Sequence, residues 1–233
     1  MLQPSRTARI LAFFCCGMWS VAHSFRLVRM FLLGRTYAEV IQRQEDDHTT
    51  RVTLKAARPA VFFPGCYFYV FFQGPLPFYD LLRGYAMMPF WVDSEHVASG
   101  AASELSFLIS HTGNHKRSLA TVRKGQFLRL DGPYGKDLQL QSYETVVLAA
   151  KGMGIVGVLP FARHLAERRK HDDGARGTTA RLRDSREPVF GDLSRNVDLI
   201  WWLESNEQEE WVAEQLKELQ KIDTKHLNVC LPV

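Results

Sequence analysis

Val146-Val147-Leu148-Ala149-Ala150-Lys151-Gly152-Met153-Gly154-Ile155 is the stretch from which the fold reads outward. Five apolar residues in a row suit a buried strand, and they run directly into a Gly-x-Gly turn. Ile155, Val158, Leu159, Ala162, Leu165 and Ala166 then recur at helical spacing. Gly152, Gly154 and Gly157 complete a G-x-G-x-x-G pattern between strand and helix. Glycines there let a backbone approach a pyrophosphate, and the opening N–H groups of the helix face an anion. A nucleotide turn and a plain tight β–α turn both fit this pattern taken alone.

Downstream, residues 171–195 are polar and glycine-containing, which reads as a long loop. Val197–Leu203 is the next apolar strand, Glu207–Ile222 a helix with Val212, Leu216 and Leu219 on one face, and Leu227–Leu231 a third strand. Glu207-Gln208-Glu209-Glu210 is an acidic first helical turn that needs no catalytic role. Strand, helix, strand, helix, strand is half of a doubly wound parallel sheet.

Upstream the period changes to two. Val52, Leu54 and Ala56 alternate with charged and polar neighbours, and Pro64-Gly65 precedes Cys66-Tyr67-Phe68-Tyr69-Val70-Phe71-Phe72. Leu105, Phe107 and Ile109 alternate again, and Gln126–Leu130 is a short strand before Asp131-Gly132-Pro133-Tyr134-Gly135. Short strands with Gly and Pro punctuation predict a small antiparallel barrel or sandwich. Taken alone, Asp131–Gly135 fits a turn closing that barrel, and Met87–Trp91 fits an edge strand with core aromatics. The predicted fold class is therefore an antiparallel β-barrel followed by a doubly wound α/β nucleotide-binding unit, behind an N-terminal apolar helix.

The chain has 233 residues, 46% hydrophobic and 23% charged, which is ordinary globular composition. Its charge of +4 is unevenly placed: the first 38 residues hold Arg6, Arg9, Arg26, Arg29 and Arg35 and no acid. The other 195 carry 24 of the 29 basic residues against 25 acids, a balance that argues against a nucleic-acid partner. The arginines bracket the apolar run Ile10–Ser24. Fifteen helical residues span about 22 Å, short of the roughly 30 Å bilayer core. Extension through Leu33 reaches far enough if Arg26 and Arg29 snorkel towards headgroups. Three readings stand: a transmembrane helix, a signal peptide cleaved near Val21-Ala22-His23-Ser24, or an interfacial or buried helix.

Other chemistry finds little footing. The four cysteines form no C-x-x-C and read as reduced, mostly packed thiols, which favours a cytosolic soluble part. His96, His111, His115, His164, His171 and His226 share no metal-ligand spacing. No G-x-S-x-G nucleophile elbow occurs.

Taken in order, W-x3-H-S-x-R-x2-R from Trp19, P-G-C-Y-F-Y-V-F-F, M-P-F-W, L-D-G-P-Y-G, A-A-K-G-M-G-I-V-G-V-L-P-F and I-W-W-L-E resemble the cytosolic half of fungal ferric-chelate reductases. That family belongs with the NADPH oxidases and, more distantly, the ferredoxin–NADP reductases. The resemblance runs from about Trp19 to the C-terminus and implies FAD and NADPH as cofactors, with electrons passing towards a ferric chelate. The implied organisation is a transmembrane helix at 8–34, an FAD-binding barrel at 48–138 and an NAD(P)-binding unit at 139–233.

The resemblance also assigns residues. The family's H-P-F-[ST] segment falls on Met88-Pro89-Phe90-Trp91, with Phe90 as the flavin contact, Met88 replacing His and Trp91 replacing the small hydroxyl residue. Pro64-Gly65-Cys66-Tyr67 matches P-G-Q-Y. The flavin-phosphate G-x-T segment falls near Thr112-Gly113-Asn114-His115 without its expected Thr. Asp131, Gly132, Pro133, Tyr134 and Gly135 would border the nicotinamide nucleotide. Gly152, Gly154 and Ile155 match the pyrophosphate turn, with Lys151 where Gly, Thr or Ser is common. Glu204, closing the second parallel strand, favours an unphosphorylated ribose, so NADH stays open beside NADPH.

Complete family members hold haem between membrane helices through paired histidines. Here one apolar helix carries His23, and it resembles the last of their set. The sequence stops at Leu231-Pro232-Val233, before the family's Cys-Gly near the nicotinamide, and Cys230 lies too early to substitute. The expectation is a chain truncated at both ends, tethered to the membrane with its flavin and nucleotide part cytosolic, beside a haem-bearing membrane partner. The alternative is a non-catalytic remnant with decayed cofactor contacts.

Overall fold

The computed structural model describes residues 6–32, 37–72, 84–93, 101–111, 122–179 and 190–232. Thr112–His115, the expected flavin-phosphate segment, lies outside them. The first element, α1 (Arg6–Leu32), is a continuous helix. Its segment Arg6–Phe25 is long and apolar enough to cross a membrane by length and composition, and none of it is buried against the rest of the chain. Among the described residues this segment is therefore not packed into a core, and the interfacial half of the third expectation stands beside the other two.

Seven strands make an antiparallel sheet: β1 (Tyr37–Glu45), β2 (Thr49–Val61), β3 (Tyr67–Phe71), β4 (Tyr85–Met87), β5 (Trp91–Asp93), β6 (Ala101–Ser110) and β7 (Phe127–Tyr134). Their order is β4-β3-β7-β1-β2-β6-β5. Alternation fixes which residues turn inward: Ala38 and Val40, Val52 and Leu54, Phe68 and Val70, Leu105 and Phe107, Leu128 and Leu130. Phe68 on β3 meets Phe107 on β6 edge to face, with ring centroids 6.5 Å apart, although three strands separate them in the sheet. The sheet thus curls over its own core in a barrel-like form. Inside it, Cys66 is buried, and desolvation pushes its thiol up to about 11. Its neutral form packs as a small apolar group.

Three differences from expectation have local causes. The sheet starts at Tyr37, so position 48, the expected start of the barrel, falls inside the first hairpin, where the Asp46 N–H donates to the Thr49 carbonyl. The outward Glu, Gln and Arg side chains of β1 conceal its alternation. Asp131–Tyr134 belongs to β7 rather than to a closing turn, because Tyr67 and Tyr69 pair across it. Residues 171–179, expected in a loop, continue a helix to Thr179. That polar end is tied down: the Asp172 carboxylate accepts the Phe190 and Gly191 N–H groups, and Arg168 grips Asp192 with two bonds of 2.6 Å.

The second unit is a parallel sheet in the order β10-β9-β8, from β8 (Thr145–Lys151), β9 (Asn196–Trp202) and β10 (Leu227–Cys230). The helices are α2 (Ile155–Thr179) and α3 (Ala213–Ile222). The expected helix over Glu207–Ile222 is interrupted: Asn206–Trp211 is a 3₁₀ segment, and Val212 leaves helical geometry before α3. The acidic run lies in that 3₁₀ segment. Leu148, Ile155, Leu159, Leu199, Trp201, Leu216 and Leu219 fill one core between sheet and helices.

Candidate cofactor site

The pyrophosphate-type turn forms where the glycines are. β8 ends at Lys151, Gly152–Gly154 makes one 3₁₀ turn, and α2 opens at Ile155 with no acid in its first turn. Gly152 has φ +49°, a left-handed conformation that other residues resist. The indole N–H of fully buried Trp201 donates to its carbonyl at 2.8 Å and fixes the turn. The Ile155 side chain is buried beneath and anchors the helix. A methyl group on Gly152 would stand 2.5 Å from a Glu204 carboxylate oxygen, whereas one on Gly154 would touch only the Ala150 methyl at 3.9 Å. Gly154 therefore leaves room for an anion to reach the N–H groups that open α2.

Beside that turn is a cavity of about 440 Å³ at the seam of the two units. The barrel side contributes Met87, Met88, Ile109 and Ser110, and the nucleotide side Met153, Gly154, Val156 and Gly157. A methyl on Gly157 would sit 3.9 Å from the Met88 sulfur, an ordinary contact across the space between the two walls. The volume lies in the range of small-molecule pockets. The wall chemistry suits a flat, largely apolar ring, with a backbone-lined anion turn at its edge. These features fit a flavin ring and the diphosphate of a nicotinamide nucleotide. A cation for flavin phosphates is not among the described lining residues.

The segment Met88-Pro89-Phe90-Trp91 divides across this seam. Met88 lines the cavity. Phe90, the expected flavin contact, is 0% exposed and packs in the core of the nucleotide unit. This corrects the expectation for Phe90 in this arrangement. Its N–H bonds the Ser106 carbonyl at 2.9 Å, which turns the ring away from the barrel core and into the next apolar interior. The Arg51 guanidinium lies 5.6 Å from the ring centroid and donates to the Trp211 carbonyl at 2.6 Å. Trp91 lies beneath Arg163, whose guanidinium is 4.0 Å from the ring centroid. Arg163 also donates to the Val92 carbonyl and pairs with Glu167 at 2.6 Å. Buried Pro89 holds the bend between them.

Asp131–Gly135 lies along another part of the seam. Asp131 is buried and accepts the Tyr134 hydroxyl at 2.8 Å. Tyr67, Tyr69 and Tyr134 form a ring cluster with centroids 5.7 Å apart. A methyl on Gly135 would come within 2.9 Å of the Gly65 carbonyl, and one on Gly65 within 2.7 Å of the Phe161 ring on α2. None of Asp131, Gly132, Pro133, Tyr134 or Gly135 lines the 440 Å³ cavity. Further along α2, burial and then the Arg168 charge lower the pKa of His164. Among the described residues no group of three His, Cys, Asp or Glu side chains gathers as for a metal ion.

Sequence reasoning missed Met87, Leu108, Ile109, Ser110, Met153 and Val156 as wall residues. Their only signal is position: each sits next to a strand end or beside a glycine of the turn.

No protein-family model matches the chain. It is 28% identical over 156 residues to ferric reductase transmembrane component 4 of Saccharomyces cerevisiae, a match covering 65% of this chain and 20% of the yeast protein. The chain thus spans about a fifth of that relative's length. Among solved structures, a flavohemoglobin from Malassezia yamatoensis with bound FAD and heme superposes at TM-score 0.58, with 18% identity, covering 91% of this chain and 51% of that one. Ferredoxin–NADP+ reductase from Plasmodium falciparum gives TM-score 0.56 with 10% identity, over 84% of this chain and 69% of the enzyme. At these identities the likeness establishes the fold.

Proposed function

We propose that this chain, similar in sequence to a yeast ferric reductase component and in fold to a ferredoxin–NADP+ reductase, is a membrane-tethered flavoprotein oxidoreductase. It takes electrons from NADPH, with NADH as the alternative donor, and passes them through FAD towards a ferric chelate. The observation that carries this reading is the seam cavity joined to an open glycine turn. FAD, when bound, supplies the conversion of a two-electron hydride into single-electron transfers. The chain's own part is binding, orientation and exclusion of water.

In this reading Met87, Met88, Leu108 and Ile109 shield the flavin ring from solvent, and thioethers adapt to a flat aromatic surface. Gly152 and Gly154 set the turn whose N–H groups receive the nucleotide diphosphate. Asp131, Gly132, Pro133, Tyr134 and Gly135, outside the cavity wall, border the nucleotide further along the seam. No side chain has to act as a strong acid or base. α1 anchors the chain, with the two folded units on the cytosolic side and a haem-bearing membrane protein as the next electron carrier.

The burial of Phe90 and the stacking of Trp91 under Arg163 favour a second reading, a fold that has lost cofactor chemistry. One experiment separates the two. The full chain, purified in detergent, is loaded with FAD, freed of excess cofactor and treated with NADPH without oxygen. Retained flavin absorbance that bleaches on NADPH addition supports the oxidoreductase. A protein that leaves the column colourless supports the remnant.

A further inference from the structure

Resting on the nucleotide-binding reading above, we propose that Lys151 is the cation that pairs with a dinucleotide's diphosphate, and that Glu204 is its counter-ion in the absence of nucleotide. Lys151 is the last residue of β8 and lies in register with Trp202 on the neighbouring strand β9. Glu204 follows two residues later, which brings the two charges together at the edge of the turn. The Lys151 ammonium is 3.4 Å from one Glu204 oxygen, and both side chains are more than half exposed. The other carboxylate oxygen lies over Gly152, where a methyl group would meet it at 2.5 Å. Glu204 is also steered from behind. Its N–H donates to the side-chain oxygen of buried Gln208 at 2.9 Å, and the Gln208 amide nitrogen reaches the carboxylate at 3.5 Å.

The carboxylate is therefore an internal anion laid against the turn whose backbone favours anions. A diphosphate approaching through the open side at Gly154 carries the same sign as Glu204 and seeks the same ammonium. Repulsion between the two anions and their competition for one cation lead to an exchange of partners. The exposed pair opens at little cost. A diphosphate, with more charge and more acceptor oxygens, is the stronger partner. No covalent bond changes and no proton moves in this exchange. The role differs from that of a carboxylate binding a ribose hydroxyl, because it makes Glu204 a competitor of the nucleotide rather than a contact to it.

The test is calorimetric titration of the full chain in detergent with ADP-ribose, which carries the diphosphate, and with adenosine, which does not. Lys151→Gln is expected to weaken ADP-ribose about tenfold, the loss of one charge-assisted contact. Lys151→Arg keeps the charge and should hold affinity within about twofold. Glu204→Gln is expected to tighten ADP-ribose about threefold by removing the competing anion. Adenosine affinity should not change in any of them. Weaker binding in Glu204→Gln, or an unchanged affinity in Lys151→Gln beside a wild type that binds, overturns the exchange while leaving the nucleotide site intact. A wild type that does not bind ADP-ribose overturns the nucleotide site itself, and the exchange with it.

Discussion

On its nucleotide side two of the four lining residues are glycines: Gly154 and Gly157 present open main chain beside the side chains of Met153 and Val156. On its barrel side it is walled by side chains, Met87, Met88, Leu108 and Ile109, supplied by two separate segments. The two walls answer to different rules. A backbone wall needs glycines at fixed spacing, and its geometry survives most changes around it. A side-chain wall depends on which way each residue of a short strand turns, and a single rotation moves a ring from ligand to core. Phe90 shows that rotation, and Gly154 shows its absence.

The strongest way to break the comparison is at Phe90. Truncation to Ala is expected to cost about 3–5 kcal/mol, the loss for a buried aromatic that leaves a void. The loss belongs to the nucleotide unit, in whose core the ring is packed, although the residue precedes β5 of the barrel sheet. Chemical denaturation of the full chain followed by tryptophan fluorescence measures it. Loss below 1 kcal/mol would mean that the ring faces the cavity instead, and the two walls would then follow one rule.

What could be read from residues alone divides along the same line. The strand, turn and helix from Val146 to Ala166 were legible because apolar run, glycine spacing and helical period agree on one answer. The inward faces of β2 and β6 were legible from alternation, whereas β3, apolar or aromatic on both faces, read only as a strand buried on both sides. β1 was not, since Glu39, Gln42, Arg43 and Gln44 dilute the pattern that Ala38 and Val40 carry. The end of α2 was hidden for another reason. Its polarity suits a loop, but Asp172, Arg168 and Asp192 bind the helix to the segment after it, and such long-range ties leave no periodic trace. Phe90 and Trp91 could be aligned but not oriented, because Arg51 and Arg163, which receive them, come from distant parts of the chain.

The turn beside the backbone wall can be probed at Gly152 and Gly154, with a smaller effect. Gly152→Ala forces a left-handed φ on an alanine, costing about 1–2 kcal/mol. The Glu204 carboxylate it meets is the end of a flexible side chain and can swing aside. Gly154→Ala meets only the Ala150 methyl, so stability is expected to stay within about 0.5 kcal/mol of wild type. Paired thermal melts check this order. Equal destabilisation by both would show that the turn is held by packing at each glycine and not by the conformation of Gly152.

The smallest expected effect lies beyond either wall, on the flank of α2. His164 has its pKa lowered from the ordinary 6.5, by burial first and then by Arg168, while Asp137 and Asp192 pull the other way. A folded-state pKa below the unfolded one means that the unfolded chain takes up its proton first as the solution is acidified. The neutral imidazole therefore costs nothing above the ordinary value. Stability is lost as pH falls from there through the lower folded value. His164→Asn should flatten this part of the acid-side decline while leaving the melting curve at neutral pH near wild type. Denaturant melts of both proteins across the acid range read it directly. If the variant keeps the wild-type slope, the acid-side decline does not come from His164.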